Sequence, residues 1–251
     1  MADREFDGQT ALVTGGSRGI GRAVCTSLAD SGAQVAVNFT SDEKSAAATL
    51  AEIEKRGVRG MMVKADVSDA DAVTDMVAAV ENELGPIDIL VTSAGIVRNE
   101  EHTQMKYPDW QRMMAVNVDG TYLSVMAVKD GMLARGFGRI VCIASIAGLR
   151  PRGRMIAYST SKAAVVGFAR SCAEAFGPAI RINCVAPGLI ETDMTASMDA
   201  AVKQRFADEA FLKRLGGAGE IAETVMFLLS ERSSFTTGQT HVVDGGRVTL
   251  P

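Results

Sequence analysis

The chain has 251 residues, is 47% hydrophobic and 22% charged, and carries a formal net charge of −4. That length can bury a substantial core, and the mildly acidic balance argues against nucleic acid or an anionic membrane as partner. No apolar run approaches the ~18 residues of a membrane span, and the charged start Met1-Ala2-Asp3-Arg4-Glu5-Phe6-Asp7 lacks a signal peptide's apolar stretch, so a cytoplasmic protein is expected.

Apolar runs then alternate with helical segments along the chain. A strand is predicted over 11–13, followed by the turn Thr14-Gly15-Gly16-Ser17-Arg18-Gly19-Ile20-Gly21. Ile20, Val24 and Leu28 recur at helical spacing, and Gly32-Ala33 supplies the stop. A second strand is predicted over 34–39, then a helix capped by Ser41 or Asp42 and running to about 55. Further strands fall at 60–64, 87–92, 138–143 and 180–185, with a short last one at 240–243. Helices are predicted at about 72–84, 107–131 with an extension towards 134, 157–176 and 220–229; a polar segment, 191–213, interrupts the alternation. Repeated strand–helix units with apolar strands predict α/β architecture: a single-domain, doubly wound parallel sheet (Rossmann-type) over 1–251, with helices on both faces.

The cysteines Cys25, Cys142, Cys172 and Cys184 form no C-x-x-C pair and read as small buried hydrophobes in a reducing compartment. His102 and His241 are far apart in sequence, so neither a metal site nor a histidine-based triad is expected.

In such sheets, ligands bind beyond the carboxyl ends of the strands, and the informative residues lie there. After the first strand, the glycine turn opens a helix whose free N–H groups suit a pyrophosphate. Its spacing is G-x-x-x-G-x-G rather than G-x-G-x-x-G. After the third strand comes Asp66, and after the fourth Ser93-Ala94-Gly95, small enough for a flat ring to pass close to backbone. After the fifth comes Ser145, then Tyr158-Ser159-Thr160-Ser161-Lys162; after the sixth comes Pro187-Gly188-Leu189-Ile190-Glu191-Thr192. Tyr158 and Lys162, at i and i+4, share a helix face. A neighbouring ammonium would lower the tyrosine pKa from near ~10 and make it a proton donor or acceptor. Ser145 would hold and polarise a carbonyl. Singly, each feature has a structural reading: a turn aspartate, a surface helix pair, a strand-end cap.

Together, Thr14-Gly15-x-x-x-Gly19-Ile20-Gly21, Asp66, Ala94-Gly95, Asn117, Ser145, Tyr158-x-x-x-Lys162 and Pro187-Gly188 resemble the motifs of the short-chain dehydrogenase/reductase family, in order, from Thr14 to Gly246. The resemblance implies a catalytic tetrad of Asn117, Ser145, Tyr158 and Lys162. Tyr158 would protonate a carbonyl oxygen as general acid, Lys162 would tune it and hold the nicotinamide ribose, and Asn117 would support a water relay. It also implies cofactor contacts at Gly15, Ser17, Arg18, Gly19, Ile20, Gly21, Asn38, Phe39, Thr40, Asp66, Val67, Ser93, Ala94, Gly95, Tyr158, Lys162, Pro187, Gly188, Ile190 and Thr192. One departure is Thr92-Ser93 where the family usually has Asn-Asn, which predicts lower local rigidity.

Relatives that prefer NAD carry an acid at the end of the second strand; here that position is Phe39, while Asp42 reads as a helix cap. Arg18 is placed to pair with a 2′-phosphate, and Asn38, Thr40 and Ser41 would add neutral hydrogen bonds, so NADP(H) is the expected cofactor. A solvated loop cation is the plainer alternative for Arg18.

Within the family, Pro187-Gly188-Leu189-Ile190-Glu191-Thr192-Asp193-Met194, Arg214-Leu215-Gly216-Gly217 and Asp244-Gly245-Gly246 resemble the β-ketoacyl reductase group. The implied reaction is NADPH-dependent reduction of a 3-ketoacyl thioester to the 3-hydroxyacyl thioester, as in fatty acid biosynthesis. Arg150, Arg152 and Arg154 would border the active-site mouth and either meet a phosphate-bearing carrier or form a plain exposed basic loop, while Asp130 and Glu174 would repel an acidic acyl carrier protein, leaving CoA as the other carrier. Another ketone, alcohol, sugar or steroid substrate is the main alternative, and a non-catalytic dinucleotide-binding protein the minor one. By resemblance, 190–214 forms a mobile lid, whose Met194 and Met198 either line an adaptable pocket or pack the lid itself; the helices around 107–134 and 157–176 make a dimer interface, or else are intramolecular core, and the C-terminal segment completes a homotetramer.

Overall fold

The computed structural model describes residues 4–150, 152–196 and 198–249, and of Met194 only the backbone. Its strands are β1 (Thr10–Thr14), β2 (Gln34–Phe39), β3 (Gly60–Lys64), β4 (Ile87–Thr92), β5 (Gly138–Ile143), β6 (Ile180–Pro187), β7 (Ile190–Glu191), β8 (Gly216–Gly217) and β9 (Thr240–Val243). Seven of them form one parallel sheet in the order β3-β2-β1-β4-β5-β6-β9, while β7 and β8 pair only with each other. The order reverses between β1 and β4, which opens a crevice at the carboxyl edge.

The helices are α1 (Gly19–Asp30), α2 (Glu43–Glu54), α3 (Ala70–Leu84), α4 (Tyr107–Met114), α5 (Gly120–Arg135), α6 (Ile156–Phe176), α7 (Asp193–Ala196), α8 (Ala200–Glu209) and α9 (Ala218–Leu229). Alternation along each strand feeds two cores. Leu12 of β1 joins Val77, Val125 and Val165 on the face covered by α3, α5 and α6. Ala11 and Val13 join Leu28, Ile53 and Val225 on the face covered by α1, α2 and α9. Side-chain caps start several helices: Asp42 accepts from the Ser45 amide at 3.0 Å, and Asp69 from the amides of Asp71 and Ala72.

The expected elements stand within a few residues of their predicted bounds, with two differences. The helix expected over 107–131 is interrupted at Ala115–Asp119 by a π turn that holds Asn117. The polar segment after β6 folds into β7, α7 and α8 rather than staying irregular. No described helix is long and apolar enough to cross a membrane.

Candidate active site

The glycine turn sits between the ends of β1 and β4. Gly15, at φ +63°, approaches the Ala94 backbone so closely that a Cβ would lie 2.8 Å from it. A Cβ on Gly21 would lie 2.2 Å from the Gly15 carbonyl oxygen, which brings the start of α1 against the turn. Arg18 occupies the N-cap position without a side-chain cap, and the first turn of α1 has no acid. The leading amides of α1 are therefore available to an anion. This cradle of backbone donors, with Ser17 and Ile20 inside it, fits a dinucleotide pyrophosphate. Thr192, at the start of the segment after β7, sits over it: a Cβ on Gly19 would lie 3.4 Å from Thr192 Cγ2.

The adenosine end differs from the sequence reading at one residue. Asn38 is fully buried, and its amide is consumed internally. It accepts from the Gly15 amide at 3.2 Å and donates to the carbonyls of Val63 and Ala65 at 3.3 and 3.1 Å. It shapes the glycine turn from behind, and both ends of its amide are engaged by backbone groups rather than presented to a ligand. Phe39 is buried at the end of β2, while Thr40, Ser41 and Arg18 are exposed. Asp42 is the helix cap, with its second oxygen accepting from Ser45 Oγ at 2.7 Å. Asp66 caps its own turn through the Ser68 amide and hydroxyl and pairs with Arg112 at 2.9 Å. Burial works against its charge, but those bonds outweigh it and hold the carboxyl below its usual range. Val67 is buried against Gly120, where a Cβ would lie 2.6 Å from its Cγ2, so it reaches the crevice by backbone alone.

After β4, the amides of Ser93 and Ala94 donate to Thr14 Oγ1 at 3.2 and 3.3 Å. Thr14 thus ties the end of β1 to the loop after β4. Gly95 faces the catalytic candidates; a Cβ there would lie 3.2 Å from Asn117 Oδ1 and 3.6 Å from Lys162 Nζ.

Asn117 is fully buried. Its Oδ1 accepts from the Ile96 amide at 2.8 Å, and its Nδ2 donates to Ile96 O and Ser161 Oγ at 3.0 Å each. The π turn presents this side chain at the junction of the loop after β4 with α6, a common use of such turns. Ser161 and Ile96 are bracing residues that the sequence reading missed, since a helix serine and a loop amide carry no motif.

Ser145 follows β5 and starts the 3₁₀ turn Ile146–Gly148; its Oγ accepts from the Ala147 amide at 3.1 Å, leaving its own proton to donate. Gly148 lets that turn lie against α6, where a Cβ would come within 2.7 Å of the backbone at Lys162 and Ala163. Ser145 is thereby brought to Tyr158. Lys162 is buried and donates to the Ile143 carbonyl at 2.7 Å, with Nζ 5.9 Å from the Tyr158 ring centroid.

The electrostatics correct one expectation. Burial pushes the Tyr158 phenol above its usual pKa, with the Ser145 hydroxyl opposing, so the net shift is upward rather than the lowering expected. The lysine ammonium gives one of its three N–H groups to Ile143 and is itself pulled from 10.5 to about 8 by burial. Tyr158 is therefore a firmly protonated phenol at neutral pH.

Pro187 ends β6, and Gly188 passes so close to Asp244 that a Cβ would lie 2.8 Å from its Cα. Ile190 is buried, and Thr192 accepts and donates within the turn closed by Thr195. Met194, expected to line a pocket, has its side chain outside the described residues. Among the described residues, no three His, Cys, Asp or Glu side chains gather in metal-binding geometry, and the four cysteines are free and buried.

Residues 15–247 match the family model described as enoyl-(acyl carrier protein) reductase. A 3-oxoacyl-[acyl-carrier-protein] reductase FabG of Aquifex aeolicus is 37% identical over 243 residues, 96% of this chain and 98% of the relative. A 3-oxoacyl-[acyl-carrier-protein] reductase of Synechocystis is 39% identical over 242 residues, 96% and 97% of the two chains. Two crystal structures superpose closely. A short-chain type dehydrogenase/reductase from Mycobacterium marinum has TM-score 0.93 and 33% identity, covering 99% of this chain and 98% of the other. A 3-oxoacyl-[acyl-carrier protein] reductase from Brucella melitensis has TM-score 0.92 and 32% identity, covering 98% and 94%. The chain belongs to the short-chain dehydrogenase/reductase family, oxidoreductases that work with a nicotinamide dinucleotide.

Proposed function

We propose that the chain is an NADPH-dependent reductase of 3-ketoacyl thioesters, carried on CoA or acyl carrier protein. The observation that carries this reading is the meeting of two hydroxyls, Ser145 and Tyr158, beside the buried Lys162 at the carboxyl edge of the sheet. When bound, the cofactor supplies the hydride. Tyr158 donates its proton to the carbonyl oxygen as the alcohol forms, and its raised pKa keeps that proton in place at neutral pH. Ser145, its oxygen already accepting from Ala147, donates to the same carbonyl oxygen and polarises it. Lys162 offers a charged donor towards the cofactor ribose, and Asn117 braces the loop and helix around it.

NADPH is preferred because exposed Arg18 stands near a strand end occupied by Phe39 rather than an acid. The names of the Aquifex aeolicus and Synechocystis relatives support a 3-oxoacyl substrate. Residues 190–214 would form the lid over it, and the half-exposed Tyr122 and Leu133 of α5 support assembly into a homotetramer.

The description of the matching family model favours a second reading, reduction of an enoyl thioester. Two hydroxyls aimed at one oxygen suit a carbonyl better than a carbon–carbon double bond. Initial rates of NADPH and NADH consumption with acetoacetyl-CoA and with crotonyl-CoA test both points. Turnover of acetoacetyl-CoA with NADPH in clear preference to NADH is expected; turnover of crotonyl-CoA alone would select the enoyl reading.

A further inference from the structure

Three arginines gather where the loop between Ser145 and Tyr158 meets the segment after β7 and the C-terminal strand exit, and among the described residues one carboxylate, Glu209, answers them. Arg247 follows β9; its side chain is 5% exposed, donates to Glu209 Oε2 through Nε at 2.8 Å, and lies over Phe206 with Cζ 4.2 Å from the ring centroid. Glu209 and Phe206 both belong to α8. Arg150 donates to the backbone carbonyl of Arg247 at 3.3 Å. Among the described residues, the buried Nη2 of Arg152 has no hydrogen-bond partner. Burial, then the charges of Arg247 and Arg150, destabilise the Arg152 cation, and Glu209 offsets this only in part. All three arginines act on Glu209, whose carboxyl is held below its usual range, chiefly by its bond to Arg247. Arg154, grouped with Arg150 and Arg152 in the sequence, is elsewhere: it pairs with Glu101 at 3.3 Å.

Guanidinium groups do not shed their charge, so a cluster this uneven keeps its mutual repulsion. A buried N–H without an acceptor adds its own cost and calls for an explanation. One planar or tetrahedral oxyanion relieves both, since it accepts paired N–H bonds and neutralises charge. We propose that Arg150 and Arg152, backed by Arg247 and the α8 side chains Phe206 and Glu209, form a subsite for an oxyanion carried by the substrate, either a phosphate on its carrier arm or a carboxylate on its acyl chain. This rests on the ketone-reductase reading of the neighbouring hydroxyls.

The test compares substrates matched except for the anion. Acetoacetyl-phosphopantetheine is set against acetoacetyl-pantetheine, and the N-acetylcysteamine thioester of a 3-oxo-dicarboxylic acid against that of the monocarboxylic acid of the same chain length. The wild-type chain should favour the anionic member of one pair in kcat/KM by roughly tenfold or more, and Arg152→Gln and Arg150→Gln should each reduce that ratio. The pair that responds identifies the source of the anion. Equal kcat/KM within both pairs, or a preference that survives both substitutions, would overturn the proposal. Should no thioester be reduced, the ketone-reductase reading fails, and the subsite is judged separately by calorimetry with inorganic phosphate on NADP⁺-saturated protein. Binding that is lost in Arg152→Gln upholds it; binding that is unchanged, or absent from both proteins, removes it.

Discussion

At the scale of single residues, the chemistry turns on which groups hold their protons. Tyr158 keeps its proton because burial disfavours the phenolate, which suits a donor in reduction. Lys162 is the more labile group, with its pKa brought to about 8. Its ammonium predominates below that pH and is lost above it. The kcat/KM for ketone reduction should therefore be level through neutral pH and fall above about pH 8, with Lys162 as the titrating group. A plateau persisting to pH 10 would remove Lys162's charge from the account. At the other end of the crevice, Arg18→Ala should weaken NADPH binding by about 1.5–3 kcal/mol and leave NADH nearly unchanged. Equal losses for the two cofactors, read by fluorescence titration, would contradict the phosphate assignment. Tyr158 and Lys162 were legible in the sequence because their spacing defines a shared helix face. Their electrostatic relation was not, because spacing does not say that Nζ reaches back to the Ile143 carbonyl.

At the scale of elements, glycines and buried amides set where the candidate catalytic groups stand. Gly148 lets the turn after Ser145 lie on the α6 backbone, and Asn117 bridges the loop after β4 to Ser161. The strands and most helix limits were readable from period and stop signals. The π turn at Ala115–Asp119 was not, since its residues continue the helical pattern on either side. Asn38 was misread for a related reason: it sits next to the expected cofactor edge, yet alternation along β2 turns its side chain inward. Asn38→Ala should therefore act on the fold. It removes three hydrogen bonds, with the Gly15 amide and with the Val63 and Ala65 carbonyls, and should lower unfolding free energy by about 1–3 kcal/mol, measured in urea. A full-stability variant with weakened cofactor binding alone would restore Asn38 to the ligand side.

Across the whole molecule, the reversal of strand order between β1 and β4 brings the glycine turn, Gly95 and the loop after β5 to one edge. Alternating strands and helices predict that edge without any structure. What they do not predict is how the segments after β6 and β9 fold back over it. The close pass of Gly188 by Asp244 and the ion pair between Arg247 and Glu209 join pieces distant in sequence, and no local pattern announces either. Legibility thus follows contact range: motifs after strands are local, and the packing of the segments after β6 and β9 on each other is not.

In the proposed reaction Tyr158 delivers the proton, and the cofactor cradle is built independently of it. The direct measurement is Tyr158→Phe, assayed in parallel for NADPH affinity and for steady-state reduction of acetoacetyl-CoA. The account predicts wild-type NADPH affinity with turnover reduced at least ~100-fold, in line with the loss of a positioned acid. Turnover within a few-fold of wild type, in protein that binds NADPH normally, would contradict it.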